Sequence, residues 1–308
     1  MDRRTFLKWQ MQGVLLAGVA PGLLCSAGDA LAAAPAFPDI AVAKGSPATA
    51  TRAAVQAVGG MGRFVKPGQR VVIKPNMSFA NTPESATNTH PDVVREVLAM
   101  VKEAGAASVR VLDHSLQNPE QTLIRSGIRD ACNSIEEGIC HHLMDAKFYR
   151  DTQMLDGKEM KSNAVMTDVL AADVIIAVPV AKHHGGAGVS LSLKGQMGLI
   201  YDRHSMHSRY DLQTSIVDLF TRLRPALAVI DATRVLTTRG PSGPGEVITP
   251  GEVIASADPV AADAMAVASY QWYGKKLEPR QVGHIRIAHE RGLGRMDVEN
   301  LVVKRVSA

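Results

Sequence analysis

The stretch Asp-Val-Ile-Ile-Ala-Val, residues 173–178, is the clearest buried strand in the sequence, and it ends directly before Pro179. A continuous apolar run of this kind is typical of a strand that is covered on both faces. Arg-Val-Val-Ile-Lys, residues 70–74, has the same character. Such strands alternate with helical segments along the chain, so the sequence predicts an α/β fold with a mostly parallel sheet and helices on both faces.

The remaining elements are predicted from periodicity and from turn signals. Strands are predicted at residues 108–112, 139–144, 226–230 and 252–255, and helices at 91–105, 190–200, 212–223 and 259–270. Pro91 lies at the first helical position after Thr89 or His90 as cap. Residues 237–249, rich in Gly and Pro, are predicted to form a loop or flap. The length allows one large domain or two lobes around a cleft.

The N-terminus has the features of an export signal. Arg3 and Arg4 precede an uncharged stretch from Gln10 to Gly28 and an Ala-rich end. This pattern predicts a twin-arginine signal peptide over residues 1–34, which leaves an α/β domain over residues 35–308. The mature protein is then expected in the periplasm, exported in folded form and without a membrane span. An uncleaved anchor and a lipidated Cys25 are the alternatives.

Charge and cysteine content limit the classes of partner. The formal net charge is +4, the basic residues are dispersed, and aromatic residues make up 4% of the chain, so nucleic acid is not expected as a partner. Cys132 and Cys140 follow the signal and predict either a disulfide or two thiols. Two cysteines are too few to hold an iron-sulfur cluster, which takes about four thiolates.

Polar residues follow four of the predicted strands. They are Lys74-Pro75-Asn76, Asp113-His114, Lys182-His183-His184 and Asp231. Ligands of open α/β sheets bind at the carboxyl ends of the strands, so these groups are expected to converge on one cleft.

The residue types in this set favour an anion site. Lys74, Lys182 and Lys194 supply positive charge for a carboxylate or phosphate. The turn at residues 185–188, which is predicted to enter a helix, offers the backbone N–H of Gly186 to the same anion. Asp263 lies in an Ala-rich helix and should meet a cation or a backbone donor.

The histidines allow two interpretations. His90, His114 and His184 are candidates for proton transfer, although His90 also suits a helix cap. Together with His183, Asp113 and Asp231 they could instead form a metal site of unspecified metal. His204 and His207 are predicted to lie in a solvent-facing loop. The candidate catalytic residues are Lys74, His90, His114, Lys182 and His184, and the candidate cofactor-binding residues are Asn76, Gly186, Lys194, Asp231 and Asp263.

Several segments resemble one protein family in the same order along the chain. They include Val-Val-Ile-Lys-Pro-Asn (71–76), Thr-His-Pro (89–91), Ser-Leu-Lys-Gly-Gln-Met-Gly-Leu-Ile (192–200) and Ala-Asp-Pro-Val-Ala-Ala-Asp (257–263). With these segments the mature chain resembles the uncharacterised DUF362 proteins. Many members carry a ferredoxin-like region with two four-iron clusters, so the resemblance implies a redox-related process. This chain lacks such cysteines, and it has Val180 and Gly195 where relatives often have lysine and asparagine.

Two functions are consistent with these observations. The first is a periplasmic enzyme or cofactor protein that binds an anionic organic ligand and acts with a periplasmic redox partner. The second is a non-catalytic metal-binding or ligand-binding accessory protein of a periplasmic redox complex. The sequence leaves open which cofactor is bound and whether a reaction is catalysed.

Overall fold

The structure is a computed structural model that describes residues 37–308. The predicted signal peptide, residues 1–34, lies outside the described residues. In the part of the chain that the structure describes, no helix is both long and apolar enough to cross a membrane.

The strands include every one that the sequence predicts. They are β1 (Ile40–Lys44), β2 (Arg70–Pro75), β3 (Ser108–Asp113), β4 (Cys140–His142), β5 (Tyr149–Gln153), β6 (Ser162–Met166), β7 (Val174–Val178), β8 (Val180–His184), β9 (Gly188–Ser190), β10 (Leu227–Leu236), β11 (Val247–Ile248), β12 (Glu252–Ser256), β13 (Gln271–Trp272), β14 (Lys275–Lys276) and β15 (Val303–Ser307).

The helices lie mostly between these strands. They are α1 (Pro47–Ala57), α2 (Met61–Phe64), α3 (Pro91–Glu103), α4 (Pro119–Arg125), α5 (Ile128–Asn133), α6 (Thr167–Ala171), α7 (Ser192–Gly195), α8 (His204–Ser208), α9 (Leu212–Arg222), α10 (Pro259–Ser269) and α11 (Gly283–Glu290). A 3-10 turn, Gln196–Leu199, follows α7 directly.

The prediction of a mostly parallel sheet covered on both faces is confirmed. The main sheet has the order β15-β1-β12-β10-β7-β2-β3-β4, and its pairs from β10 to β4 are all parallel. Only β12 runs antiparallel to both of its neighbours, β1 and β10. The sheet is therefore mixed, with a parallel half that carries the expected ligand-binding edge.

Alternate residues of each strand face opposite layers, as strand geometry requires. Val71 and Ile73 pack with α1, α3 and α5 in one apolar cluster, whereas Val72 belongs to the second cluster, with α9, α10 and α11. This two-sided burial explains why the strands are continuously apolar.

One predicted strand end is wrong. The sequence predicts that a strand ends at Asp231, but β10 continues to Leu236 with all ten residues buried. The strand tolerates Asp231, Thr233 and Arg234 because these side chains bond to one another. Asp231 therefore lies within a strand and not at its carboxyl end.

The predicted helix over residues 190–200 is also wrong in part. Residues 188–190 form β9, which pairs with β8, and only Ser192–Gly195 are α-helical before the chain tightens into the 3-10 turn. Gly195 and Gly198 weaken an α-helix here because glycine loses the most backbone freedom. The turn at 185–188 thus joins two antiparallel strands and does not enter a helix.

Candidate functional site

A cavity of about 400 Å³ opens at the carboxyl ends of β2 and β3, beside the β8–β9 hairpin. Its charged lining consists of Lys74, Lys182, Lys194, Arg203, Asp113 and Asp202. Pro241, from the predicted flap at residues 237–249, also lines the cavity. Four basic side chains therefore face two carboxylates.

Lys74 and Asp113 form a buried ion pair in the cavity wall. Lys74 Nζ lies 3.1 Å from Asp113 Oδ1, and both side chains are 1% exposed. Asp113 also accepts hydrogen bonds from the backbone N–H groups of Met77 and His114 and from the Ser78 hydroxyl. Burial opposes the ionised carboxyl, but the nearby Lys74 charge and the Met77 amide outweigh it and lower the pKa of Asp113. Burial also lowers the pKa of Lys74, against the attraction of Asp113, so it is the Asp113 carboxyl that is held in its ionised form.

Lys182 lies in the middle of β8 and is 2% exposed. Its ammonium donates to the Thr87 carbonyl at 2.5 Å and lies 4.7 Å from the centre of the Phe79 ring. Burial, followed by the charge of Lys194, lowers the pKa of Lys182 to about 7. Its charge can therefore change near neutral pH.

Lys194 enters the cavity from α7, which Asp263 holds in place. The two carboxylate oxygens of Asp263 accept the N–H groups of Ser192 and Leu193 at 2.8 and 2.9 Å. Burial is the main cause that lowers the pKa of Lys194 to about 7, and the charges of Arg203 and Lys74 add to it. Asp263 therefore meets backbone donors and not a lysine, and it positions Lys194 from outside the cavity.

His184 presents a neutral N–H to the cavity. Its Nδ1 accepts the backbone N–H groups of Gly186 and Ala187, each at 3.1 Å, which places the ring proton on Nε2. Burial, with the Lys194 charge next, lowers the pKa of His184 to about 2. The ring thus remains neutral and donates a hydrogen bond, an arrangement that does not support the predicted proton transfer.

Gly186 has no backbone donor left for an anion. Its N–H is used by His184, and its carbonyl accepts from the Gln213 side chain. The prediction of Gly186 as an anion-binding residue is wrong because this turn closes the β8–β9 hairpin.

The family comparison extends across most of these elements. The family model described as a domain of unknown function (DUF362) matches residues 71–268. This chain belongs to the DUF362 family. The match starts within β2 and ends within α10, so it includes every lysine of the cavity.

Relatives of this DUF362 chain include one curated protein at moderate similarity. The thylakoid-associated protein sll1697 of Synechocystis sp. is 25% identical over 230 residues, which are 71% of this chain and 68% of that protein.

Two solved structures are similar at 13% sequence identity. The lactate racemase apoprotein from Thermoanaerobacterium thermosaccharolyticum has a TM-score of 0.49 over 74% of this chain and 56% of that chain. A Thermotoga maritima protein from structural genomics has a TM-score of 0.44 over 72% of this chain and 59% of that chain. The DUF362 chain therefore spans less than two thirds of the length of either protein.

The structure brings together half of the predicted site residues. Those that line the cavity of this DUF362 protein are Lys74, Asn76, Lys182, His184 and Lys194, and those that do not are His90, His114, Gly186, Asp231 and Asp263. Asn76 also accepts the Val180 N–H through its side-chain oxygen at 3.0 Å.

His90 and Asp231 stabilise the N-terminus of α3 through hydrogen bonds. The His90 ring accepts the N–H of Asp92 as a helix cap, and the His90 N–H donates to Asp231 at 2.7 Å. Asp231 also binds Arg234 and Thr233. Both oxygens of the Asp231 carboxylate accept these hydrogen bonds, so the predicted binding role of Asp231 is wrong.

His114 supports the cavity wall from behind. Its Nδ1 lies 3.1 Å from the Ile200 carbonyl, and its ring stacks on Tyr201 with the ring centres 6.0 Å apart. Tyr201 itself lines the cavity.

Sequence reasoning missed the cationic and aromatic residues that follow the 3-10 turn. Tyr201, Arg203, His204 and His207 all line the cavity. His204 and His207 are exposed, but they lie on α8 and not in a loop. His207 stacks against His184 with ring centres 5.9 Å apart. The sequence feature that could have identified these residues is their position, because they directly follow the segment that carries Lys194.

The histidines and carboxylates do not assemble into a metal site in the described part of the chain. Among residues 37–308, no group of three His, Cys, Asp or Glu side chains is placed to hold a metal ion. Cys132 and Cys140 are free thiols in this structure.

Proposed function

We propose that this protein binds a small organic anion, with a carboxylate or a phosphate, in the lysine-lined cavity. The observation that carries the proposal is the convergence of Lys74, Lys182, Lys194 and Arg203 on one cavity of about 400 Å³. Buried cations lose solvation, and this cost is recovered when an anion pairs with them. An anionic ligand is therefore the chemistry that this lining favours.

The size of the cavity limits the ligand. Binding pockets for small molecules measure roughly 300–1,000 Å³, so about 400 Å³ accommodates a small metabolite and not a polymer. Phe79, Leu116, Met197 and Tyr201 supply apolar surface beside the cations. A short carbon skeleton with one or two anionic groups matches both parts of the lining.

We also propose the periplasm as the site of action, on the strength of the paired Arg3 and Arg4 and the apolar stretch after them. A redox-related role, and the alternative of an accessory protein for a redox complex, remain predictions that rest on the family resemblance. The anion proposal does not depend on either.

The test is a ligand screen by thermal shift, followed by calorimetry. The panel contains inorganic phosphate, pyrophosphate, citrate and 2-oxoglutarate, each against a neutral analogue at matched ionic strength. We expect at least one anion to raise the melting temperature, and the double variant Lys182→Gln/Lys194→Gln to weaken its binding by at least tenfold.

The matched control is Lys275→Gln/Lys276→Gln, which removes two exposed lysines of β14. It should leave the affinity unchanged. The proposal fails if no anion stabilises the protein, or if both double variants lose affinity equally.

A further inference from the structure

We propose that Lys194 is a nucleophilic amine that forms an imine with a carbonyl group of the bound anion. This inference rests on the proposed anion site and narrows its ligand to a carbonyl compound that carries a carboxylate or phosphate. The step makes Lys194 a catalytic residue and not only a counter-charge.

The three cavity lysines differ in what their amines contact. Lys74 is paired with Asp113 and the Pro75 carbonyl, and Lys182 donates to the Thr87 carbonyl. Among residues 37–308, Lys194 has no hydrogen bond and no ion pair to its Nζ. Its amine is therefore the one of the three that is left for a ligand.

The surroundings of Lys194 favour the neutral, nucleophilic amine. A lysine becomes a nucleophile when it is desolvated or placed beside other cations. Both conditions hold, because burial and the charges of Arg203 and Lys74 lower the pKa of Lys194 to about 7. The neutral amine is then accessible at neutral pH.

The amine is also held on a fixed support. Asp263 binds the first two N–H groups of α7, and the Gly195 N–H donates to the Leu191 carbonyl at 2.8 Å. A short helix anchored in this way fixes the backbone of Lys194 relative to the cavity. A fixed attacking atom lowers the entropy cost of the reaction.

The remaining lining suits an anionic carbonyl compound. Arg203 can pair with the carboxylate or phosphate, beside the paired Lys74 and Lys182, and the neutral Nε2–H of His184 can donate to the carbonyl oxygen. A hydrogen bond to that oxygen stabilises the charge that develops there during attack.

The reaction balances without an added oxidant or reductant. The Nζ lone pair forms a C–N bond to the carbonyl carbon, and one N–H proton passes to the oxygen to give a carbinolamine. The hydroxyl then takes a proton from solvent and leaves as water, and the product is a protonated imine. One carbonyl, one amine and one proton thus give one protonated imine and one water.

The experiment uses glyoxylate, the smallest 2-oxo acid, with sodium cyanoborohydride at pH 7 on the full chain. Peptide mass spectrometry then measures the rate of reductive modification at each lysine. We expect Lys194 to react at least tenfold faster than the exposed Lys276. Lys74 and Lys182 should lag behind Lys194 because their amines are paired.

The variant Lys194→Arg separates the imine from the charge. Arginine keeps the cation but forms no imine, so the fast adduct should disappear. Glycolate, which has no aldehyde, should raise the melting temperature of the unmodified chain. If Lys194 in the unmodified chain reacts no faster than Lys276 while glycolate stabilises the protein, the imine is wrong and the anion site stands. If glycolate and the whole anion panel also fail to bind, the proposed function is wrong as well.

Discussion

Lys74 and Asp113 join two neighbouring parallel strands through an ion pair of 3.1 Å that is almost completely buried. Each residue is the polar end of its strand, and Gly198 of the 3-10 turn covers the pair from the cavity side. The same pair thus connects the sheet to the segment that carries Lys194.

Breaking this pair should be costly. We expect Asp113→Asn to lower the free energy of unfolding by about 3–5 kcal/mol, because it leaves the buried Lys74 cation without its counter-charge. Urea unfolding at pH 7 measures the loss.

The control is a second ion pair with the same N–O distance, whose side chains are exposed to solvent. Lys147 and Asp145 are also 3.1 Å apart, with both side chains largely exposed. Asp145→Asn should cost less than about 1 kcal/mol. Equal losses in the two variants would contradict the role assigned to burial.

Gly198 should not tolerate a methyl group. A Cβ at this position would lie 2.6 Å from Lys74 Cε and 2.9 Å from its Nζ, and it would also collide with Asp113 Oδ1. We therefore expect Gly198→Ala to destabilise the protein by roughly 1–3 kcal/mol through overpacking and to reduce anion binding.

Gly195→Ala provides the comparison within the same segment. Its Cβ would meet only Pro179 Cβ, at an ordinary 3.9 Å, and alanine favours the helix. Thermal unfolding of the two variants should therefore differ clearly. If Gly198→Ala is as stable as Gly195→Ala, the turn does not approach Lys74 this closely in solution.

Lys182 should make stability depend on pH above neutrality. Burial lowers its pKa from 10.5 to about 7 in the folded chain, so between these values the unfolded chain binds more protons. Stability contributed by Lys182 should therefore rise with pH across this window, by up to about 1.4 kcal/mol per pH unit.

The variant Lys182→Met removes this dependence. Unfolding of both proteins at pH 7 and pH 9.5 gives the difference in slope, and Lys276→Met, at an exposed site, should retain the slope of the unmodified chain. Parallel pH profiles for Lys182→Met and the unmodified chain would mean that Lys182 titrates at its ordinary pKa.

Export should depend on the paired arginines. The double change Arg3→Lys/Arg4→Lys keeps the charge but removes the twin-arginine pair, and we expect the uncleaved protein to accumulate in the cytoplasm. Fractionation of a bacterial host that has the pathway measures this, with Lys8→Arg as the charge-neutral control. Normal export of the double variant would contradict the proposed route.

The strand pattern was accessible from sequence because it is local. Val71 to Ile73 and Val174 to Val178 are apolar at consecutive positions, and that composition is enough to predict strands covered on both faces. The polar residues at the ends of β2 and β3 and those that follow β7 could likewise be predicted to converge, since parallel strands bring their carboxyl ends to one edge.

Other features of the site depend on contacts between residues that are far apart in the sequence, and these contacts could not be predicted. Asp231 looked like a strand end, yet Arg234 and the His90 N–H satisfy it within β10. His207 is exposed, but the sequence gives no sign that α8 brings its ring into a stack with His184.

The sequence by itself determined the α/β alternation, the family and the three lysines of the site, because these follow from local composition and from the order of short segments. Only the tertiary structure decided which lysine amine is unpaired among the described residues, that His184 is a neutral donor, and that Asp263 holds α7. The physical reason is that hydrogen bonds and desolvation depend on atoms far apart in the chain, and folding alone brings these into contact.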